Sequence, residues 1–114
     1  MAKRRWLLNT DSEHPPVWMV LCRGESDGAR SSYPLHEQHA LIVLVASAEE
    51  ELHEAVEALL KENGWLRPSI QQARQLHEPF SSDDADVTQC YVAARDGRGG
   101  VIVYADPLKE VLAN

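Results

Sequence analysis

The chain has 114 residues, 44% hydrophobic and 25% charged, a balance that excludes disorder and coiled coil and suits a single domain over 1–114 with its own core. Asp and Glu outnumber Lys and Arg by 18 to 11, for a net charge of −7, so a nucleic acid would be repelled unless a basic patch stood apart. The longest apolar run is far short of the ~20 residues that cross a bilayer, which argues against a membrane span.

Residues 1–12 read as an N-terminal tail or edge segment. Only Trp6, Leu7 and Leu8 are apolar between Arg5 and Asn9, too few for a signal sequence, so the expected location is cytoplasmic. Lys3-Arg4-Arg5 is the one basic cluster and reads as a solvated tail rather than a nucleic-acid arm. Val17, Trp18, Val20 and Leu21, set between Pro15-Pro16 and Gly24, predict a first strand over 17–23. The stretch 24–39 carries Gly24, Gly28, Ser31, Ser32 and Pro34 without a sustained period, which predicts a long loop.

Ala40-Leu41-Ile42-Val43-Leu44-Val45-Ala46 has no polar alternation and predicts an inner strand covered on both sides. A helix over 47–63 follows. Ser47 and Glu50 have the spacing of a capping box, and Leu52, Ala55, Val56, Leu59 and Leu60 form its apolar stripe. Asn63-Gly64 stops the helix, and Trp65 is placed to pack back on Leu60.

The stretch 65–76 suits helix or strand by periodicity. Pro68, and the tendency of a strand–helix unit to return to its own sheet, decide for a strand within 67–76. Ser81-Ser82-Asp83-Asp84 is a helix start with carboxylates on the positive end of the dipole, and Val87, Cys90, Tyr91 and Ala94 form the inward stripe up to Gly97. Val101-Ile102-Val103-Tyr104 predicts a further strand, and Asp106-Pro107 the start of a short helix through Leu112. The order is β-β-α-β-α-β-α. The expected architecture is an α+β two-layer sandwich, a mixed sheet of about four strands with both main helices on one face, ferredoxin-like in a broad manner.

Chemistry is sparse. Asp96-Gly97-Arg98-Gly99-Gly100 runs from helix into strand, the reverse of a phosphate loop, and reads as a helix C-cap. Glu49-Glu50-Glu51 and Asp83-Asp84-Asp86 occupy the helix starts where phosphates would bind, so no nucleotide cofactor is expected. His36 and His39, even with His14, lack the ligand spacing of a metal site and read as surface histidines on a loop entering a strand, so no metal is expected. Cys22 and Cys90 have no C-x-x-C spacing and read as buried, reduced thiols. No nucleophile, base and orienting group can be matched, and no catalytic residue is assigned.

Two functional readings follow. The first is a small non-catalytic binding module, of inhibitor, immunity or regulatory type, whose acidic helix face Glu50, Glu54 and Glu57 meets a basic protein partner. The second is a small-molecule-binding or enzymatic domain with a pocket under the 24–39 loop, where Arg23, Arg30, Tyr33, His36 and His39 would converge on one rim; the same loop also suits a mere cover for the sheet's edge. An open edge strand would also allow pairing of the chain with a second copy as a homodimer.

Overall fold

A hairpin organises the fold. In the computed structural model, which describes residues 15–77, 80 and 82–108, strand β1 (Val17–Ser26) pairs antiparallel with β2 (Gln38–Ala46), from Val17 opposite Ala46 to Glu25 opposite Gln38. Both strands run past the expected boundaries and shorten the 24–39 loop to residues 27–37. Each residue added to a ladder pairs its backbone donor and acceptor whatever its side chain, so pairing draws in Gly24 and Ser26 although neither favours a strand.

After β2 a 3-10 turn (Glu49–Glu51) leads into helix α1 (Leu52–Glu62). The expected capping box is absent. Ser47 is buried, its amide donates to the Pro16 carbonyl at 3.0 Å, its carbonyl accepts the Trp18 indole N–H at 2.9 Å, and its hydroxyl donates to the Ala48 carbonyl at 2.8 Å. Docked on the sheet in this way, Ser47 cannot cap; Ala48 takes the N-cap position with no side-chain bond. Strand β3 (Trp65–Leu76) then pairs antiparallel with the free side of β1, helix α2 (Ala85–Arg95) crosses the sheet, and β4 (Gly100–Val103) pairs antiparallel with β2.

The sheet order is β3-β1-β2-β4. Since β2 and β3 both run against β1, they are parallel to each other, so α1 does return the chain to its own sheet, with β1 lodged between. Every adjacent pair is antiparallel, which corrects the expected mixed sheet. The order does not establish a ferredoxin-like topology. Among the described residues no helix is long and apolar enough to cross a membrane.

The α+β class, the four strands and the two helices are as expected, and each helix lies against the sheet as one layer on another. The helices do not share a face. Trp18, Val20 and Cys22 of β1 with Leu41 and Val43 of β2 pack against Leu52, Val56 and Leu60 of α1 and against Trp65. The alternate residues, Val17 and Leu44 with Met19, Ile42 and Ala46 beside them, pack against Leu76 and against Tyr91 and Ala94 of α2. The physical reason is the side-chain alternation of a strand: an apolar run with no polar positions presents Leu41 and Val43 to one side and Ile42 and Leu44 to the other, and each side needs its own cover.

Helix ends are set largely as expected. Gly64 lies at φ +90°, Trp65 is 2% exposed against Leu60, and a β-carbon at position 64 would stand 2.8 Å from the Arg30 carbonyl carbon, so glycine also allows the loop to cross here. The Asp84 carboxylate caps α2, accepting from the amides of Asp86 at 2.9 Å and Val87 at 3.3 Å. At its other end the amides of Arg98 and Gly99 both donate to the Ala93 carbonyl, which gives the glycine-rich run its capping role. Cys90 is half-buried rather than buried, and its sulfur rests on Gly100, where a side chain would collide with it. The 1–12 tail, and the part of the expected last helix beyond Leu108, lie outside the described residues.

Candidate functional site

The loop 27–37 builds itself from short polar bonds. Asp27 Oδ1 accepts from the amides of Ala29 at 2.8 Å and Ser31 at 3.1 Å, and these bonds hold its carboxyl below the usual range. The Ser26 hydroxyl donates to the Tyr33 carbonyl at 2.7 Å and accepts from the Gly28 amide. The Asp27 amide donates to the Gly64 carbonyl at 2.9 Å, which ties the loop to the end of α1.

From this frame Tyr33 reaches inward to His39. Their ring centroids lie 4.2 Å apart, and Trp65 stands 5.8 Å from Tyr33 and 5.5 Å from His39. His39 is fully buried, which corrects its reading as a surface histidine. The β2 strand begins before it rather than after it, and alternation then turns its ring to the α1 side. Nδ1 faces the Tyr104 carbonyl at 2.6 Å and Nε2 faces Glu37 Oε1 at 2.9 Å.

The other sequence candidates do not join this centre. Arg23 stands one place from Gly24 on the opposite side of the sheet, donating to Gln38 Oε1 at 3.4 Å. His36 is exposed, with Nδ1 hydrogen-bonded to Glu25, whose other partner is Arg67 at 3.2 Å. Both partners of Glu25 sit in left-handed backbone, at φ +71° and +49°, so the carboxylate clamps two sterically unfavourable positions. The His36 hydrogen bond is the largest influence and holds the Glu25 carboxyl below its usual range; desolvation opposes it, and the charge of Arg67 adds a smaller lowering effect. Arg30 lines an open groove of about 210 Å³ with Ser31, Ser32, Tyr33, Asn63, Trp65, Val101 and Val103. The residues reasoning from sequence missed are Glu37, Trp65 and Tyr104. Glu37 carried a usable signal, two places before His39 and so on the same side of a strand; the Tyr104 carbonyl carried none, because it arrives from 65 residues away.

The acidic face is arranged differently. Glu50, Glu54 and Glu57 are exposed, and among the described residues none of them enters an ion pair. Glu54 and Glu57 line a groove of about 370 Å³ between α1 and β3, with Trp65, Leu66 and Pro68 as its apolar part and Lys61 and Arg67 also on its wall. A second groove of about 420 Å³ flanks the start of the helix, lined by Pro15, Ala46, Ser47, Ala48, Glu51, Glu54 and Ala55. Glu54 is common to both.

Neither cysteine stands as a reactive thiol. Burial pushes Cys22 up to about 11, and burial, with the carboxylates of Asp86 and Asp84 adding to it, raises Cys90. Among the described residues no three His, Cys, Asp or Glu side chains are placed to share a metal ion. In comparisons with known proteins, no family model, no curated protein and no solved structure matches the chain.

Proposed function

We propose that this protein is a small binding module that acts by contact with another protein, of inhibitor or regulatory type, and that its partner presents a basic surface to Glu50, Glu54 and Glu57. The observation that carries the reading is that Glu54 lines both of two open grooves, with Glu57 lining one of them and Glu51 the other. Exposed carboxylates beside grooves with an apolar part suit a partner segment with Lys or Arg next to an apolar side chain, since the charge steers encounter and the apolar part shields the contact from water. Lys61 and Arg67 on the wall of the groove between α1 and β3 limit how far a basic segment runs along it.

The small-molecule reading receives less support. Its loop is occupied with its own bonds, Tyr33 is packed on His39 and Trp65, and what remains is the open groove beside Arg30, which neither His36 nor His39 lines.

The test is recovery of a partner from cell extract followed by titration of the purified pair, with wild type and with the combined E50K, E54K and E57K variant. Charge reversal is expected to weaken a one-to-one complex by about tenfold or more, and added salt is expected to weaken the wild-type complex. A complex indifferent to both would remove the acidic face from the function.

A further inference from the structure

The two edges of the sheet are closed unequally. β4 is four residues long and half-buried throughout, and the run after it stays on β2, with the Tyr104 amide donating to the Ala40 carbonyl at 3.0 Å and the Leu108 amide to the Gln38 carbonyl at 2.8 Å. β3 is twelve residues long, and among the described residues no strand lies on its outer side. Its first part is guarded: Pro68 brings no amide, Arg67 is held by Glu25, and a register shift leaves Gln71 with no residue opposite it on β1. From that shift onward residues 71–75, Gln-Gln-Ala-Arg-Gln, are all exposed, and Arg74 is the only charge among them.

Backbone phase decides which groups this stretch turns outward. The Ser26 amide donates to the Glu37 carbonyl at 2.8 Å and its carbonyl accepts from the His36 amide at 2.9 Å, so Ser26 bonds toward β2. The β1–β2 register has no shift, so Gly24, Cys22, Val20 and Trp18 do the same, and the residues between them bond toward β3. Of these, Leu21 faces Gln72, Met19 faces Arg74 and Val17 faces Leu76. Ala73 and Gln75, which alternate with them, therefore turn their amides and carbonyls to the open edge, and the small Ala73 side chain leaves the approach of another backbone clear.

We propose that a second copy of the chain adds its own β3 to this edge, antiparallel, with the two-fold axis at Ala73, so that the two sheets join edge to edge. The stretch matches itself: read against itself about Ala73, it sets Ala73 opposite Ala73, Gln72 opposite Arg74 and Gln71 opposite Gln75. The two copies of Ala73 exchange a pair of backbone hydrogen bonds, and Gln72 meets Arg74 twice on the α2 side. Neither of these side chains has a hydrogen bond or ion pair within the chain among the described residues, so the Gln72 amide oxygen is available to accept from the guanidinium. An axis at Arg74 would set like charges opposite each other, and an axis at Gln75 runs off the strand, which ends at Leu76. A strand of unrelated sequence gains the backbone bonds without the doubled side-chain match, which selects a second copy as the occupant. Trp65 to Pro68 stay outside the paired stretch, so the groove beside Glu54 and Glu57 remains open and the dimer does not depend on the function proposed above.

The contact is small, so the dimer is expected to be weak and reversible. The experiment is sedentation equilibrium of the full chain over a range of concentrations, with amide exchange followed in the same samples. A monomer–dimer equilibrium is expected, with the Ala73 and Gln75 amides exchanging more slowly as concentration rises. Ala73→Pro removes an amide that has no partner within the sheet and is expected to weaken the dimer about tenfold or more while the chain stays folded. The Gln72 variants leave the backbone unchanged: Gln72→Arg sets like charges opposite each other and is expected to weaken the dimer about threefold or more, and Gln72→Glu sets opposite charges there and is expected to tighten it by about as much. Added salt is expected to strengthen the dimer by screening two chains of net charge −7 from each other, the reverse of its effect on a complex with a basic partner, so the two readings fail separately. A chain that stays monomeric at every concentration, or a dimer indifferent to Ala73→Pro and to both Gln72 variants, overturns the proposal.

Discussion

The two faces of the sheet are built from the same strands and end up closed to different degrees. On the α1 side, Leu41, Val43, Val56 and Leu60 are fully buried, and Trp18, Trp65, Tyr33 and His39 seal the rim. On the α2 side, burial is complete only near Leu44 and Ala94. Leu21 and Tyr104 remain 36% and 48% exposed, beside a groove of about 210 Å³ that Met19, Ile42, Gln72 and Arg74 complete. The contrast teaches that the apolar run of β2 is an equal demand on both faces, and that the supply differs: α1 has five apolar positions in its stripe and a loop to help it, whereas α2 packs over one end of its face.

The comparison is sharpest in the core. Leu41→Ala is expected to cost about 2–5 kcal/mol in urea unfolding, since it leaves a cavity in a closed layer, and Leu21→Ala about 1 kcal/mol or less. Equal costs would mean that the two faces are closed alike. The helix ends give a second contrast, because Gly64 and Gly97 both lie near φ +90° but only Gly64 has the loop against it. Gly97→Ala is expected to cost about 1 kcal/mol for the backbone alone and Gly64→Ala about 2 kcal/mol or more, the excess reporting displacement of Arg30 and Ser31.

The helix starts come next in size. Asp84→Ala removes a real cap and is expected to cost about 1 kcal/mol, whereas Ser47→Ala leaves the start of α1 where it is, which amide exchange of the first turn of each helix would show. The smallest effect belongs to the loop in acid. Glu25 and Asp27 have carboxyls held below their usual range, so their contribution is present above the carboxylate range of the unfolded chain and is lost as pH falls through their lowered values. Melting from neutral to strongly acid pH is expected to fall less for Glu25→Gln and for Asp27→Asn than for wild type; an identical fall would show that neither carboxylate supports the loop.

Of the candidate site, the sequence made legible the acidic side chains of α1 and the residue types of the loop, but not the loop's arrangement. Tyr33 and His39 meet because β2 starts at Gln38, and Arg23 leaves them because it is one step out of phase with Gly24 in the same strand. A shift of a single residue in a strand exchanges the faces, so a boundary missed by a few residues loses the site while the element itself is found.

What the residues determined by themselves is local. The unbroken aliphatic run demanded a strand covered twice, Asn63-Gly64 ended a helix because only glycine takes the left-handed turn there without penalty, and Asp84 started one because its carboxylate reaches the free amides of the first turn. Tertiary structure decided the order β3-β1-β2-β4, the division of the helices between the faces, the withdrawal of Ser47 from capping, and the burial of His39 between Glu37 and Tyr104. Each of these depends on a partner brought from elsewhere in the chain, and periodicity records which side of an element is apolar without recording what will lie against it.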